Sequence, residues 1–389
     1  MILATFCIIF QFIIFNRFGK LKAIESALLA IIRTIASQQY SSIFPYSDMV
    51  DYYWPIVKSC GPTPIFRYDS IASFLHCRGI IDSLNDINLI YVSIGSIFIS
   101  LLLKLSNDME KRYNLINNVS DLRFIRLIKF LFVFDPNCII YTTVLGKDIV
   151  QFSLVSSLIY FLSTPGVRGL RYLIPSFLWI FFSRPYFLFF ITIAIAMAFV
   201  IPSMRLKVSL KDLGRIPRIK GIRKSKALTA ITLLPFLVML FFYSYQFFDF
   251  YTDLSIFDIF DVLGSWNRSM GGVLSYPTET PFPIKFIYFW VLPLGIIQKG
   301  LGAFVFTISS LTCLYFLFNI FKNILKINTY ASKFLFSLTI IYSAAFSFIA
   351  NNSGITSRYR FTCIMPILFI FTVFSYFERR KMKQEQLMN

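Results

Sequence analysis

The chain reads as an all-α, polytopic integral membrane protein of about eleven transmembrane helices, and three observations predict it. Of 389 residues, 57% are hydrophobic and 19% aromatic, including 47 Phe, against only 15% charged. That is too apolar for a soluble globule. Apolar runs, several of them shorter than the roughly 20 residues one crossing needs, recur along the whole length. Lys and Arg sort into alternate gaps between those runs, as the positive-inside rule demands. Rossmann and TIM-barrel enzymes are excluded, and the net charge of +19 belongs to membrane topology, with no call for nucleic acid as a partner.

The runs lie at 2–15, 23–37, 88–103, 127–143, 149–163, 170–183, 185–202, 227–247, 302–321, 334–350 and 361–377. The basic gaps are 17–22, 104–129, 168–171, 205–226, 322–333 and 379–383, which hold 27 of the 38 Lys and Arg with seven acids in or beside them. The remaining 11 basic and 12 acidic residues nearly cancel. The basic gaps are therefore cytoplasmic, with the N-terminus outside and the C-terminus inside. The first run lacks a basic leader and a small-residue cleavage site, and reads as a retained helix rather than a signal peptide. Residues 284–299, interrupted by Pro293, Gly295 and Lys299, read as an interfacial or re-entrant segment on the outer side, tolerable only with its backbone buried in protein. No repeat or linker divides the chain, so 1–389 is expected to form a single membrane domain. It has outer loops 38–87 and 248–283 and a basic cytoplasmic loop 203–226.

Six scattered cysteines contain no C-x-x-C pair, and His76 is the only histidine, so neither a zinc site nor a redox motif is indicated. No nucleotide-binding glycine motif occurs. Neither cofactor nor metal is expected. Cys60 and Cys77 share an outer loop in which an oxidising compartment permits a disulfide.

The outer face carries the informative polar residues. Cations there escape the positive-inside bias, so each needs a partner or a ligand. Arg33, near the outer end of the second run, is expected to snorkel to the interface. Tyr46 to Pro55 places Asp48 and Asp51 three apart beside Tyr52, Tyr53 and Trp54. This is either a capped interfacial helix with solvated acids or a pair of carboxylates of which one, withdrawn from water, serves as a general base. Asp135 precedes Pro136, which should kink the fourth helix. Gly146-Lys147-Asp148 turns between two apolar runs, as a plain salt pair or as a site. Arg184 sits in a Ser-Arg-Pro break, where an unpaired guanidinium costs several kcal/mol and calls for a phosphate or a carboxylate such as Asp148. Asp249, Asp253, Asp258 and Asp261 read as the solvated face of an interfacial helix. Arg268 precedes Gly271-Gly272, which suits either close approach to an anion or a turn. Arg358 and Arg360 lead into the last run, where a helix N-terminus would favour phosphate.

These pieces resemble the bacterial O-antigen and exopolysaccharide polymerases of the Wzy-type and EpsG-like group. The resemblance rests on Asp48 to Tyr53, Lys147-Asp148, Arg184-Pro185, Gly271-Gly272 and Arg358-Tyr359-Arg360, and no R-x10-G loop motif accompanies them. It implies a GT-C-like membrane glycosyltransferase in the bacterial inner membrane with a periplasmic active face. Such an enzyme passes a growing glycan from undecaprenyl diphosphate to an incoming lipid-linked repeat unit with inversion. Lys147, Arg184, Arg268, Arg358 and Arg360 would hold the diphosphate; Asp48, Asp51 or Asp148 would be the base. Partners implied are the two undecaprenyl-diphosphate-linked glycans, membrane lipids, and a chain-length regulator and flippase of the same pathway. The competing classes are a glycosyltransferase with a polyprenyl-monophosphate donor and a non-enzymatic lipid or polysaccharide transporter. The first would often carry a sizeable soluble outer domain and the second two related halves; neither feature is visible.

Overall fold

The computed structural model describes residues 2–43, 70–80, 83–113, 119–144, 146–164, 169–183, 186–200, 280–291, 301–322, 330–349 and 353–388. All regular structure among them is helical. The helices are α1 (Ile2–Ile13, continued by a π-turn Ile14–Phe18), α2 (Ala23–Ile43), α3 (Ser70–Cys77), α4 (Leu84–Tyr113), α5 (Val119–Val133), α6 (Pro136–Tyr141) and α7 (Lys147–Ser163). There follow α8 (Leu170–Ser183), α9 (Tyr186–Val200), α10 (Phe282–Val291), α11 (Leu301–Lys322), α12 (Tyr330–Ile349), α13 (Ser353–Tyr359), a π-turn Arg360–Ile364, and α14 (Met365–Met388). The expected run 227–247, the basic loop 203–226 and most of the loops 38–87 and 248–283 lie outside the described residues.

Two helical stretches, Leu84–Lys111 and Thr356–Phe377, are long and apolar enough to cross a membrane, and six shorter apolar helices accompany them. The outward faces are apolar as well. Along α1, Ile2, Phe6, Ile9 and Ile13 are exposed, and along α2, Ile24, Leu28, Ile31 and Ile35. Each set follows the three-to-four spacing of one helical face. Such stripes are a liability in water and are what lipid-facing helices present.

Inside, α4 runs against α1, α2 and α7, while α9 and α10 pack on α12 and α11 packs on α14. Aromatic rings fill the seams: Phe132 stacks on Phe369 at 4.3 Å and Phe152 on Phe361 at 5.5 Å between centroids.

Three ion pairs gather the basic gaps 17–22, 104–129 and 379–383 at one end of the bundle. Arg126 meets Glu25 at 2.5 Å, Lys129 pairs with Glu110, and Arg380 pairs with Asp121. The Tyr376 hydroxyl, followed by Asp121, raises the pKa of Arg380 further.

The helices break where the sequence supplies a local substitute for helical hydrogen bonds. Pro136 has no N–H to donate, so α5 stops at Val133 and a new helix starts instead of one kinked rod. Asp135 caps the new helix by accepting from Asn137 N at 2.9 Å and Cys138 N at 3.2 Å. Near the C-terminus the helical stretch begins at Ser353, and Pro366 falls in its interior. The π-turn just before it accommodates the missing donor, with Met365 N bonding to Arg360 O.

Candidate functional site

A polar seam crosses the apolar core around the six-residue helix α6. On one side of it, Arg33 is fully buried. Its Nε donates to Gln11 Oε1 at 3.2 Å, and its terminal nitrogens donate to Thr142 Oγ1 at 2.6 Å, Thr142 O at 3.1 Å and Val92 O at 3.2 Å. Gln11 in turn donates to Thr34 and accepts from Ser96. The expectation that Arg33 snorkels is thus corrected. Helix α2 runs on to Ile43, six residues past the apolar run, which moves Arg33 from the end to the middle of the helix. Buried carbonyl and amide oxygens there replace water.

Helix α4 can lie this close because residue 95 is glycine: a Cβ there would stand 2.2 Å from Thr142 O and 3.0 Å from the Arg33 guanidinium.

On the other side of α6, Asp135 Oδ1 accepts also from Ser309 Oγ at 2.9 Å, and Asn137 Nδ2 donates to the same hydroxyl at 2.7 Å. Asp135 Oδ2 and Asn137 Oδ1 are buried without a hydrogen-bond partner. Next to this cluster Arg360 is 1% exposed and donates to Ser310 Oγ at 2.7 Å, Trp290 O at 2.9 Å and Phe289 O at 3.2 Å. Those carbonyls belong to α10, the described part of the 284–299 segment.

A third cluster joins α7 to the last helical stretch in two rungs. Arg358 Nε donates to Asp148 Oδ2 at 2.6 Å. One turn further in, Thr362 donates to Gln151 Oε1 at 3.1 Å while Gln151 Nε2 donates to the Tyr342 hydroxyl at 2.9 Å. Asp148 and Gln151 are three apart on α7 and Arg358 and Thr362 four apart, so both rungs fall on facing surfaces.

Of the residues singled out by sequence, Asp148 and Arg358 therefore come together. Arg358 and Arg360, two apart on a helix, point about 200° away from each other and engage different partners. They also stand inside a helical stretch that starts at Ser353, so the expected help from a helix N-terminus is absent; polar Asn351 to Thr356 hides the true start from a hydropathy reading. Lys147 opens α7; its side chain lies outside the described residues, as do Asp48, Asp51, Arg184 and Arg268. Helices α8 and α9 end and resume on either side of Arg184-Pro185. Among the described residues no group of three His, Cys, Asp or Glu is placed to hold a metal ion.

Sequence reasoning passed over Gln11, Asn137, Thr142, Gln151 and Ser309. Their signal was available: each is a polar side chain inside an apolar run, where lipid would penalise it unless it turned toward protein.

Cys77 is disulfide-bonded, whereas Cys7, Cys138, Cys313 and Cys363 are buried thiols; Cys60 lies outside the described residues. Neither the family models, the curated proteins nor the solved structures compared with the chain give a match.

Proposed function

We propose that the chain is a polysaccharide polymerase. In this reading about eleven helices of GT-C-like arrangement span the bacterial inner membrane. At the outer face, undecaprenyl-diphosphate-linked repeat units are joined into O-antigen or capsular or exopolysaccharide. The observation that carries the reading is the ion pair between Asp148 and Arg358, made by side chains only 10% and 18% exposed. A guanidinium and a carboxylate held together at the margin of an apolar core are the two groups such a transfer needs.

The donor's diphosphate competes with Asp148 for the Arg358 guanidinium, because phosphate oxygens accept from its N–H groups as a carboxylate does and can do so in a bidentate manner. Asp148, once released, or Asp48 or Asp51 from the first outer loop, takes the proton of the acceptor hydroxyl. That oxygen attacks the anomeric carbon from the face opposite the diphosphate. The bond from the acceptor oxygen to the anomeric carbon forms as the bond from that carbon to the diphosphate oxygen breaks, and undecaprenyl diphosphate leaves with the electron pair. Lys147, Arg184 and Arg268 add positive charge for the leaving group. The disulfide at Cys77 supports an oxidising, extracytoplasmic surroundings for the first outer loop.

The test is polymer formation by purified protein in nanodiscs supplied with a synthetic lipid-linked repeat unit. Arg358→Lys keeps the charge but loses the planar fork, and should lose most chain extension. Among Asp48→Asn, Asp51→Asn and Asp148→Asn, one should fall by about 100-fold to 10,000-fold, the usual range for a lost general base. Normal polymer from all four variants would end the proposal.

A further inference from the structure

At the basic end of the bundle, a cleft of about 680 Å³ opens between the turn joining α1 to α2, the end of α4, and α5. Its two carboxylates are spent within the protein: Glu25 on Arg126 and Glu110 on Lys129. Three further cations, Lys20, Lys22 and Lys111, line the same cleft and are solvent-exposed. The cleft therefore carries an uncompensated charge of about three.

The turn that presents two of these lysines is fixed. Asn107 Nδ2 donates to Gly19 O at 2.9 Å, Asn16 Nδ2 to Leu21 O at 3.2 Å, and Lys22 N to Glu25 Oε2 at 3.1 Å. Lys129 Nζ, largely buried, braces Asn107 from behind at 2.7 Å. Gly19 admits the tight packing, since a Cβ there would meet Phe15 O at 2.7 Å. Lys20 holds a left-handed φ of 58°.

The wall from α5 has the opposite character. Ile125 and Val133 form a buried apolar floor, and Leu122 and Phe130, at 50% and 46% exposed, carry it outward to the surface. An anion with an attached hydrocarbon chain matches such a cleft; a bare anion would leave the apolar wall wet.

We propose that this cleft binds the phosphodiester headgroup of an anionic membrane phospholipid, with Lys20, Lys22 and Lys111 around the phosphate and an acyl chain against Leu122 and Phe130. This rests on the chain lying in a membrane and not on the polymerase reading, so polymer formation is no part of its test.

The full chain in neutral detergent is titrated with phosphatidylglycerol, phosphatidylcholine or water-soluble glycerol phosphate, and bound molecules are counted by native mass spectrometry. Phosphatidylglycerol should bind more tightly than phosphatidylcholine, and glycerol phosphate at equal concentration should not displace it. At roughly a tenfold or smaller loss per lysine, the triple change Lys20→Gln, Lys22→Gln, Lys111→Gln should weaken phosphatidylglycerol by on the order of 100-fold. The triple Lys→Arg variant should retain it. Equal binding of both lipids, or an unaffected Gln variant, overturns the proposal. Full displacement by glycerol phosphate overturns the lipid source in favour of a soluble phosphate.

Discussion

Neutralising Asp148 should cost more stability than neutralising Asp148 and Arg358 together. With the two charges 2.6 Å apart and both side chains mostly buried, Asp148→Asn leaves a guanidinium in a low-dielectric setting without its counter-charge. Removing one partner of a buried pair typically costs about 3–5 kcal/mol, whereas replacing both by neutral groups is often close to neutral. Asn retains an oxygen that Arg358 Nε can reach, so about 3 kcal/mol is expected for Asp148→Asn. Arg358→Gln takes this counter-charge from the carboxylate and should cost about as much. The double variant should sit within about 1 kcal/mol of the parent, giving a coupling of several kcal/mol in a double-mutant cycle. The assay is the unfolding midpoint in mixed detergent micelles, followed by fluorescence of the four tryptophans. Singles that simply add in the double variant would mean the charges do not sense each other, and the pair could not then act as the exchangeable holder of a diphosphate.

Two further outcomes test the geometry around it. Gly95→Ala forces a methyl to within 2.2 Å of a backbone carbonyl and 3.0 Å of Arg33, so it should abolish the monodisperse peak in gel filtration. Gly79→Ala, which meets open space but has φ +65°, should cost only about 1 kcal/mol and leave that peak intact; equal behaviour of the two would refute the close approach of α4 to Thr142. Cys77 should resist a thiol reagent until the protein is reduced, because it is disulfide-bonded, and labelling without reductant would contradict the bond.

Helix positions were legible because hydropathy reports where apolar groups must go, but the ends were not, because helices end where hydrogen bonds end. The run 88–103 belongs to a helix reaching from Leu84 to Tyr113. Ser83 starts it by accepting from Asp86 N at 3.2 Å while donating to the Asp86 carboxylate at 2.8 Å, a reciprocal cap of polar residues. The same blindness put Arg33 at an interface and Arg358 at a helix start.

Pairing across the fold was the other hidden layer. Asp148 is engaged by Arg358, 210 residues away, a choice made by helix packing, while Arg184, for which the sequence offered Asp148 as one possible partner, lies outside the described residues. What the sequence did mark are the positions where a helix must be interrupted. Pro136 compels a break, and the break compels a cap, supplied by Asp135. A capping carboxylate buried beside α11 then requires the Ser309 hydroxyl. Thr142 closes the same short helix and is thereby presented to Arg33. Two polar clusters thus follow from one proline in an apolar run, which makes interrupted runs the places where a membrane sequence exposes its polar core.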